Sequence, residues 1–336
     1  MGVRGMRIAV IKGDGVGPEI MGATLSLLER YIGADFIEIK AGKSYFIEEG
    51  KPIEDNAIEK IRECDSLLKG PVATPTKGPS YPSVNTLLRR EFKLYANVRP
   101  FRSYEGISIR RIDTILVREN LECLYYGWEV EDEDRAIAMR VITKRGAERI
   151  SEFAFNLAKR EGRRRVTAIH KRNILKRTDG LFLDAFYRVA SKFDLRADDE
   201  IVDAAGYKLV KLDNAFDVML TPNLYGDILS DVAAGVVGSI GLCGSAQIGE
   251  DFAAFEPIHG TGEDIAGKGI ANPIGMIIAA SMMLDWLWER GRSPKRGEKI
   301  REAVDSVIRD RILTPDLGGD FRTEQVVEKI VDRLRD

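Results

Sequence analysis

Short apolar runs with the character of strands alternate along the chain with longer segments in which apolar residues recur at helical spacing. The strand-like runs lie at 7–11, 65–70, 113–119, 166–171 and 216–221, and the helix-period segments at 56–64, 147–160 and 180–193. This alternation predicts an α/β protein in which helices pack on a largely parallel sheet. Because the chain has 336 residues, it can bury a large core, and its size suggests two domains.

Charge and cysteine content argue against several classes of function. A net charge of −2 from 51 basic and 53 acidic residues gives no electrostatic reason to expect nucleic acid. Cys64, Cys123 and Cys243 include no C-x-x-C pair, which fits a reducing, cytoplasmic compartment. No segment approaches 18 uninterrupted apolar residues, so we expect no membrane span. With only His170 and His259 available, a metal site would consist mainly of carboxylates, which favours Mg²⁺ or Mn²⁺ over zinc.

A glycine-rich stretch follows the first strand-like run. Gly13, Gly15 and Gly17 fall at every second position, whereas the dinucleotide-binding fingerprint has the spacing G-x-G-x-x-G. Glu38 lies about where a ribose-binding acid would be expected, but it also belongs to a polar–apolar alternation that is typical of a half-buried strand. Pro18 suits the first turn of a helix. Spacing therefore favours a helix entry over a phosphate-binding loop.

Two aspartates, Asp227 and Asp231, are four residues apart in the mostly apolar segment 223–235. On a helix both carboxylates would project from one face, where like charges at this spacing repel each other. A divalent cation would offset the repulsion. The alternative is an acidic helix face that is simply solvated, and the spacing alone leaves both interpretations open.

Three arginines, Arg89, Arg99 and Arg118, lie among apolar residues rather than in a run of charge. Arg99 and Arg118 are expected at the ends of strands, where planar guanidinium groups in α/β enzymes bind carboxylates. Structural ion pairs are the alternative. Tyr125 follows closely as a possible proton donor. Lys171, after another strand, could be desolvated for proton chemistry, although most such lysines reach solvent.

A second glycine-rich stretch, 256–275, contains His259, Asp264 and Asn272. Its composition suits a close approach of the backbone to a ligand, but a tight structural loop would have a similar composition. The apolar segment that follows, 277–288, is predicted to be helical.

Taken together, these segments resemble the β-decarboxylating dehydrogenases, the family of isocitrate, homoisocitrate and 3-isopropylmalate dehydrogenases. Matching motifs occur in the family's order along nearly the whole chain: GDGVGPEI, LYANVRP, VREN, HKRNIL, NLYGDILSD, HGTGEDIAGKGIANP and TPDLGGD. The resemblance implies a two-domain isopropylmalate/isocitrate dehydrogenase-like α/β fold that is not a standard Rossmann fold. It implies a discontinuous large, cofactor-side domain, 1–97 plus 239–336, and a small domain, 98–238, for the metal and the dimer interface.

The resemblance also implies roles for the residues that match these motifs. Arg89, Arg99 and Arg118 would hold the substrate's malate-type carboxylates. Lys171 would take the proton from the C2 hydroxyl while hydride leaves C2 for the nicotinamide, and Tyr125 would protonate the enolate carbon after CO₂ has left.

For the metal, the resemblance implies that Asp227 and Asp231 bind Mg²⁺ or Mn²⁺ together with Asp203 of a partner subunit. Asp203 would thus belong to the catalytic set. Lys171 would also come from that partner, so the active unit would be at least a homodimer with shared sites.

The cofactor-binding residues implied by the resemblance lie in two glycine- or proline-flanked segments. They are Thr74, His259, Gly260, Thr261, Gly262, Asp264, Ile265 and Asn272. Asp264 and Ile265 stand where NADP-dependent relatives carry a lysine–tyrosine pair that meets the 2′-phosphate. We therefore expect NAD, because an aspartate accepts hydrogen bonds from ribose hydroxyls and repels a phosphate. The alternative is that Asp264 only caps a short helix that begins at Ile265.

The substrate is indicated by Ser83 and Asn85, which precede Arg89 in the pattern S-x-N-x-x-x-R. This loop resembles that of isocitrate dehydrogenases, in which the serine and asparagine meet a third carboxylate. An isopropyl group could not satisfy a buried amide, so isopropylmalate is less favoured. We expect oxidative decarboxylation of isocitrate to 2-oxoglutarate, CO₂ and NADH, with homoisocitrate, one methylene longer, as the alternative.

A non-catalytic regulatory subunit of a hetero-oligomeric isocitrate dehydrogenase is the competing class. Such chains are expected to lose part of the metal or acid–base set, whereas Tyr125, Lys171 and the three aspartates are all present here. The chain departs from the family's pattern at Leu121 and Cys123, where relatives usually carry threonine and glycine. The backbone near Tyr125 is therefore the place where a local difference is expected.

Overall fold

The computed structural model describes residues 5–75 and 81–335. In this part of the chain, the strands are β1 (Met6–Ile11), β2 (Ala34–Glu38), β3 (Ser66–Lys69), β4 (Ala96–Arg102), β5 (Asp113–Glu119), β6 (Glu129–Glu131), β7 (Ala136–Ala138), β8 (Arg165–His170), β9 (Arg196–Ile201), β10 (Val218–Thr221), β11 (Gly244–Ile248) and β12 (Ala253–Pro257). The helices are α1 (Gly17–Tyr31), α2 (Lys43–Glu49), α3 (Ala57–Arg62), α4 (Val84–Glu91), α5 (Lys144–Arg160), α6 (Thr178–Ala190), α7 (Val202–Lys211), α8 (Asn223–Val237), α9 (Ile274–Glu289), α10 (Gly297–Arg309) and α11 (Thr323–Arg335). Every segment predicted above as a strand or a helix overlaps one of these elements.

The chain forms two compact units. The first consists of Met1–Phe92, Gly238–Ala246 and Glu250–Asp336, and the second of Lys93–Val237 and Gln247–Gly249. The chain thus leaves the first unit and later returns to it. Strand β11 is divided, because residues 247 and 248 belong to the second unit. The small domain predicted at 98–238 does not include this short segment.

In the first unit the strands are ordered β2-β1-β3-β12-β11. Strand β1 is parallel to β2 and β3, and β3 is parallel to β12. Helix α9 packs on β12 and β3 and against α1 and α10. Most of its side chains are buried, which explains why its sequence is apolar around most of the helix rather than on one face. No helix in the described ranges is both long enough and apolar enough to cross a membrane.

In the second unit the strands are ordered β4-β5-β10-β8-β9. Strands β5, β10, β8 and β9 run parallel to their neighbours, and β4 is antiparallel to β5. Helices α5 and α6 pack together through Phe155, whose ring stacks with Phe186 at 5.4 Å and with Phe193 at 5.1 Å between centroids. The prediction of an α/β fold with a largely parallel sheet is therefore confirmed.

One detail of the strand prediction is wrong. Arg99 was expected at the end of a strand, before Pro100, but β4 continues through Pro100 to Arg102. Proline is compatible with an extended chain because its ring holds φ in a range that extended backbone can adopt. Arg99 therefore lies inside β4, paired with Leu116 of β5.

Candidate active site

The register of β4 and β5 places two buried arginines on one face of the sheet. Asn97 is paired with Arg118, and Arg99 lies two residues beyond Asn97, so the three side chains share a face. Arg99 donates from Nε to Asn97 Oδ1 at 3.2 Å and from Nη1 to Ser230 Oγ at 2.6 Å. Arg118 donates from Nε and Nη2 to Asn223 Oδ1, at 2.9 and 2.7 Å. These contacts fix both guanidinium planes, although neither side chain reaches solvent to any extent.

Helix α8 brings Asp227 to these arginines. Its Oδ1 accepts a short hydrogen bond from Arg118 Nη1 and lies 4.0 Å from Arg99 Nη2. Its Oδ2 accepts a short hydrogen bond from the Tyr125 hydroxyl, and the Tyr125 ring lies under the Arg118 guanidinium, 5.0 Å from its centroid. Both carboxylate oxygens are thus engaged, and a guanidinium compensates the negative charge, as a bound cation would.

Asp231 lies one turn further along α8. Burial raises its pKa, and the negative charge of Asp227 adds to this effect, while Arg99 and Arg118 oppose it. The helix predicted for this segment is confirmed, so the two carboxylates do project from one face. A cation between them would relieve the electrostatic cost that the raised pKa reports.

Asn223 and Ser230 were not identified from the sequence, although both hold an arginine in place. Asn223, Asp227 and Asp231 follow one another at intervals of four residues, and this polar stripe on an apolar helix is the signal that could have identified Asn223. Gly226, between them, has no room for a side chain: a Cβ would lie 2.7 Å from Arg118 Cγ and 2.3 Å from Thr221 Oγ1. The glycine therefore lets Arg118 lie against the helix.

Tyr125 lies in a single 3₁₀ turn, Leu124–Tyr126, directly after Cys123. Cys123 is fully buried and has φ +68° and ψ −145°, a conformation that is essentially restricted to glycine. Its N–H donates to Val141 O at 2.8 Å. The chain therefore keeps a glycine-like backbone at the position where relatives usually carry glycine, and the surrounding contacts must bear the strain.

Glu119 fixes the backbone of Leu121 and Glu122, which precede this turn. Its carboxylate accepts from the backbone N–H groups of Leu121 at 2.9 Å and Glu122 at 2.8 Å. Burial raises the pKa of Glu119 to about 7, against the lowering effect of these two hydrogen bonds. This glutamate was not identified from the sequence, because nothing in the local pattern distinguishes it from a strand-end ion-pair residue.

Lys171 and Asp203 form a second cluster on other elements of the same unit. Lys171 directly follows β8, and Asp203 lies in the first turn of α7. Lys171 Nζ donates to Asp203 Oδ1 at 2.5 Å, and this hydrogen bond lowers the pKa of Asp203. The lysine side chain is partly buried, whereas that of Asp203 is exposed. Across residues 5–75 and 81–335 of one chain, no three acidic, histidine or cysteine side chains gather as a metal-ligand group.

In the first unit, the candidate substrate residues lie on or next to α4. Ser83 caps this helix, and its Oγ accepts from Thr86 N at 3.4 Å. Asn85 and Arg89 are four residues apart and so share one face of α4. Arg89 is buried, and Asn85 Oδ1 is buried with no hydrogen-bond partner in the described part of the chain.

The glycine-rich stretch after β1 is a helix entry, as the spacing predicted. Helix α1 begins at Gly17, with Pro18 in its first turn. Gly15 has φ +59°, and a Cβ there would lie 1.9 Å from Thr261 O, which accepts from Val16 N at 2.8 Å. The glycines thus allow one loop of the protein to pack against another rather than leaving room for a phosphate. Glu38 belongs to β2, in agreement with the alternation of its sequence.

Two residues of the candidate cofactor loop have clear structural partners. Asn272 Oδ1 accepts from Ile274 N at 3.0 Å, at the start of α9, and Nδ2 donates to Asp316 Oδ2 at 3.1 Å, in the turn Pro315–Leu317. His259 lies 2.8 Å from Gly260 O through Nδ1, and burial lowers its pKa, which favours the neutral imidazole.

The other residues of this candidate set differ in exposure. Asp264 and Thr74 are exposed, and Ile265 is half-buried. Residues 263–267 form turns, so no helix begins at Ile265 for Asp264 to cap. Gly260, Thr261 and Gly262 precede these turns, and Gly262 has φ +50°. The Asp264 carboxylate therefore remains available to a ligand on the surface of the first unit.

Comparison with known proteins adds an independent finding. The isocitrate/isopropylmalate dehydrogenase family model matches residues 7–330. The chain is 41% identical to homoisocitrate dehydrogenase of Methanocaldococcus jannaschii and 43% identical to isocitrate/homoisocitrate dehydrogenase of Thermus thermophilus, in both cases over 98% of each chain. A crystal structure of isocitrate dehydrogenase from Methylococcus capsulatus matches with a TM-score of 0.93 and 42% identity, over 98% of this chain and 100% of that one.

The fold and these matches define a decarboxylating dehydrogenase, an oxidoreductase class that acts on small carboxylate substrates. The chain belongs to the isocitrate/isopropylmalate dehydrogenase family, and the resemblance read from its motifs is confirmed. Overall identity does not separate the substrates, because the 3-isopropylmalate dehydrogenase of Archaeoglobus fulgidus is also 42% identical, over 98% of this chain and 99% of its own.

Proposed function

We propose that the chain is a cytoplasmic, NAD-dependent dehydrogenase that decarboxylates isocitrate with the help of Mg²⁺ or Mn²⁺, in a homodimer with shared sites. The observation that carries the choice of substrate is the polar surface of α4. Ser83 Oγ already accepts from Thr86 N, so its O–H remains to donate to a carboxylate. The buried Asn85 Oδ1 has no hydrogen-bond partner among the described residues. If the side-chain amide is rotated by about 180°, its N–H donors take the place of this oxygen.

This polar surface argues against 3-isopropylmalate. An isopropyl group offers neither donor nor acceptor, so Ser83 and Asn85 would be desolvated without compensation. A site built to hydrogen-bond its substrate rejects an analogue that lacks the polar group by up to about 10⁴-fold.

Homoisocitrate is the second candidate, supported by two relatives whose names include it. Its side chain is one methylene longer than that of isocitrate and ends in the same carboxylate. One methylene discriminates by only about 10–200-fold. We therefore favour isocitrate modestly over homoisocitrate and clearly over isopropylmalate.

The residues of the second unit fit a divalent metal. Asp227 and Asp231 offer hard carboxylate oxygens on one face of α8, the ligands that Mg²⁺ and Mn²⁺ prefer. Mg²⁺ takes six oxygen ligands, so Asp227 and Asp231 leave positions that Asp203 of the partner subunit, the substrate and water could fill. The exposed Asp264 carboxylate in turn suits the ribose hydroxyls of NAD.

In the proposed reaction, bound NAD⁺ supplies a hydride acceptor and the bound divalent ion supplies a Lewis acid. Arg99 and Arg118 bind carboxylates of the substrate through their planar N–H groups. For Arg118, Nη1 must exchange its bond with Asp227 for one with the substrate. Lys171 takes the proton of the C2 hydroxyl, directly or through a water molecule. Tyr125 donates its phenolic proton to the carbon that CO₂ has left.

Exposed apolar side chains support a second copy of the chain as the partner. Trp128, Val130 and Ile137, on or beside the β6–β7 hairpin, are about half exposed. On helices α7 and α8, Tyr207 and Ile228 are exposed to a similar extent or more. Helices α7 and α8 pack against each other, so the exposed apolar side chains on both helices are candidates for an interface. Because α7 also carries Asp203, a dimer formed through these elements would bring the two copies together near the predicted shared ligand.

The reaction is tested by incubating the purified protein with NAD⁺, Mg²⁺ and each of the three acids. We expect NADH and CO₂ in equal amounts from isocitrate, and loss of the activity when EDTA removes the metal. No NADH from any of the three acids would rule out the enzyme and favour a regulatory subunit. Retention of full activity after metal removal would rule out the metal-dependent mechanism.

A further inference from the structure

A fully buried aspartate contacts the backbone of Lys171. Asp179, in the first turn of α6, has no exposed surface. Its Oδ2 accepts from Lys171 N at 2.6 Å and from the Tyr225 hydroxyl at 3.2 Å, and its Oδ1 lies 2.8 Å from Arg140 Nη2. A buried charge is tolerated only where such partners compensate its desolvation. The four residues therefore form one connected polar group inside the second unit.

The main chain of Lys171 is held on both sides by this arrangement. Its N–H is bound by Asp179, and its carbonyl accepts from Leu175 N at 2.8 Å and from Ile174 N at 3.0 Å. The turn after β8 is thereby closed at the residue that carries the side-chain nitrogen. Because the side chain extends from a fixed Cα to Asp203, the position of Nζ depends on this closure.

The other two partners connect Asp179 to different elements. Arg140 follows β7, and its guanidinium lies over the ring of Tyr225, 4.5 Å from the centroid. Tyr225 lies on α8, two residues before Asp227, and burial raises its pKa to about 12. Asp179 could thus act on the reaction in two ways, through the Lys171 turn or through α8, the helix that carries Asp227 and Asp231.

We propose that Asp179 is a positioning residue for the reaction and acts through the main chain of Lys171, not through α8. The proposal rests on the proposed function, in which Lys171 is the base. The geometry favours the route through Lys171, because the hydrogen bond from Lys171 N to Asp179 Oδ2 is the shorter of the two. It is made by a backbone N–H and therefore fixes the turn after β8 itself. The contact with α8 is a longer bond to a side-chain hydroxyl.

The first test measures kcat and KM of three variants over a range of isocitrate concentrations. Asp179→Ala removes the acceptor for Lys171 N, and we expect kcat to fall at least about tenfold with little change in KM, since the base is displaced and binding is not. Asp179→Asn keeps an amide oxygen that can accept the same N–H, and should recover most of the loss. Tyr225→Phe, the matched control, removes only the hydroxyl that reaches α8 and should leave kcat within about twofold.

Asp179→Ala leaves Arg140 without the carboxylate that balances its charge and could prevent folding. The double substitution Asp179→Leu with Arg140→Met replaces the buried ion pair with apolar groups, an exchange that is often neutral for stability. It also lacks an acceptor for Lys171 N, so the same fall in kcat is expected from a folded protein. Wild-type kcat in the folded double variant would overturn the proposal.

Mixed dimers separate the two routes. In a shared site, Lys171→Ala and Asp227→Asn chains should restore activity when they are mixed, because each supplies what the other lacks. If Asp179 acts through Lys171, Asp179→Ala should be rescued by Asp227→Asn and not by Lys171→Ala. The opposite pattern, rescue by Lys171→Ala alone, would place Asp179 with α8 and overturn the proposal. An inactive wild type would instead refute the proposed function, whereas an active wild type with unaffected Asp179 variants refutes only this inference.

Discussion

The candidate metal site on α8 and the loops of the first unit are held by different physical means. Around α8, polar and charged side chains hold one another: Arg118, Asp227 and Tyr125 are joined by direct hydrogen bonds. In the loops of the first unit, carboxylates hold backbone. Asp14 accepts from the N–H groups of Lys43, Ser44 and Ala73. Glu19 accepts from those of Gly269 and Ala271. The α8 site should therefore be sensitive to loss of charge, and the loops of the first unit to changes in backbone shape.

The largest effect is expected from neutralising the carboxylates of α8. Asp227→Asn and Asp231→Asn should each reduce kcat by orders of magnitude, because an amide is a poor ligand for Mg²⁺ or Mn²⁺. Steady-state rates at several Mn²⁺ concentrations measure the effect. If either variant retained wild-type activity at limiting Mn²⁺, that aspartate would not be a metal ligand.

The same two variants should differ in stability without metal. Asp227→Asn removes the carboxylate that compensates Arg118 and should lower Tm. Asp231→Asn should raise Tm at neutral pH, because the raised pKa of Asp231 means that its ionised form costs the folded state free energy. Below about pH 4, the ordinary pKa of aspartate, the carboxyl is protonated in both the folded and the unfolded state, and this cost is absent. It reaches its full size once the pH exceeds the raised pKa of the folded state. Melting curves in EDTA between these limits should show the advantage of Asp231→Asn growing with pH, and an advantage independent of pH would contradict this explanation.

A smaller effect is expected from the surface of the cofactor loop. Asp264→Lys with Ile265→Tyr should move the preference from NAD toward NADP, because a cation replaces a carboxylate that repels the 2′-phosphate. The exposure of Asp264 limits the change to a few kcal/mol at most, since solvent screens both charges. The ratio of kcat/KM for the two cofactors is the measurement. A wild type that uses NADP more efficiently than NAD would contradict the assignment of this loop.

The backbone sensitivity of the first unit is tested at two glycines. Gly15→Ala should lower Tm by several degrees, since its Cβ would lie 1.9 Å from Thr261 O and φ is positive. Gly22 lies within α1, where a Cβ meets nothing within 4 Å. Gly22→Ala, the matched control, should stabilise the protein by about 0.5–1 kcal/mol. Equal effects of the two substitutions would show that the loop tolerates a change of shape.

The sequence predicted side-chain chemistry better than it predicted the contacts that hold it. The helical pair Asp227 and Asp231 could be predicted because both carboxylates lie within one helix and follow its period. The hydrogen bond between Arg118 and Asn223 could not be predicted, since the two residues are more than a hundred positions apart in the chain. They come together only when β5 and α8 pack in the folded unit. Asp179 could not be identified either, because Arg140 and Tyr225 lie on other elements and meet it only in the folded chain.

Backbone conformation was the least predictable feature. Cys123 adopts a glycine-like conformation in spite of its side chain, and a hydrogen bond from its own N–H to Val141 O holds it there. Local propensity argues against such a conformation for cysteine. Only the resemblance to relatives that carry glycine at this position indicated an unusual backbone near Tyr125.

The central claim is that the polar surface of α4 selects a tricarboxylate substrate. It is tested most directly by kcat/KM for isocitrate, homoisocitrate and 3-isopropylmalate, measured on the wild type with NAD⁺ and Mg²⁺ under identical conditions. We expect the order isocitrate, homoisocitrate, isopropylmalate, with the first ratio within about 200-fold and the second clearly larger. A higher kcat/KM for 3-isopropylmalate than for isocitrate would contradict the role assigned to Ser83 and Asn85.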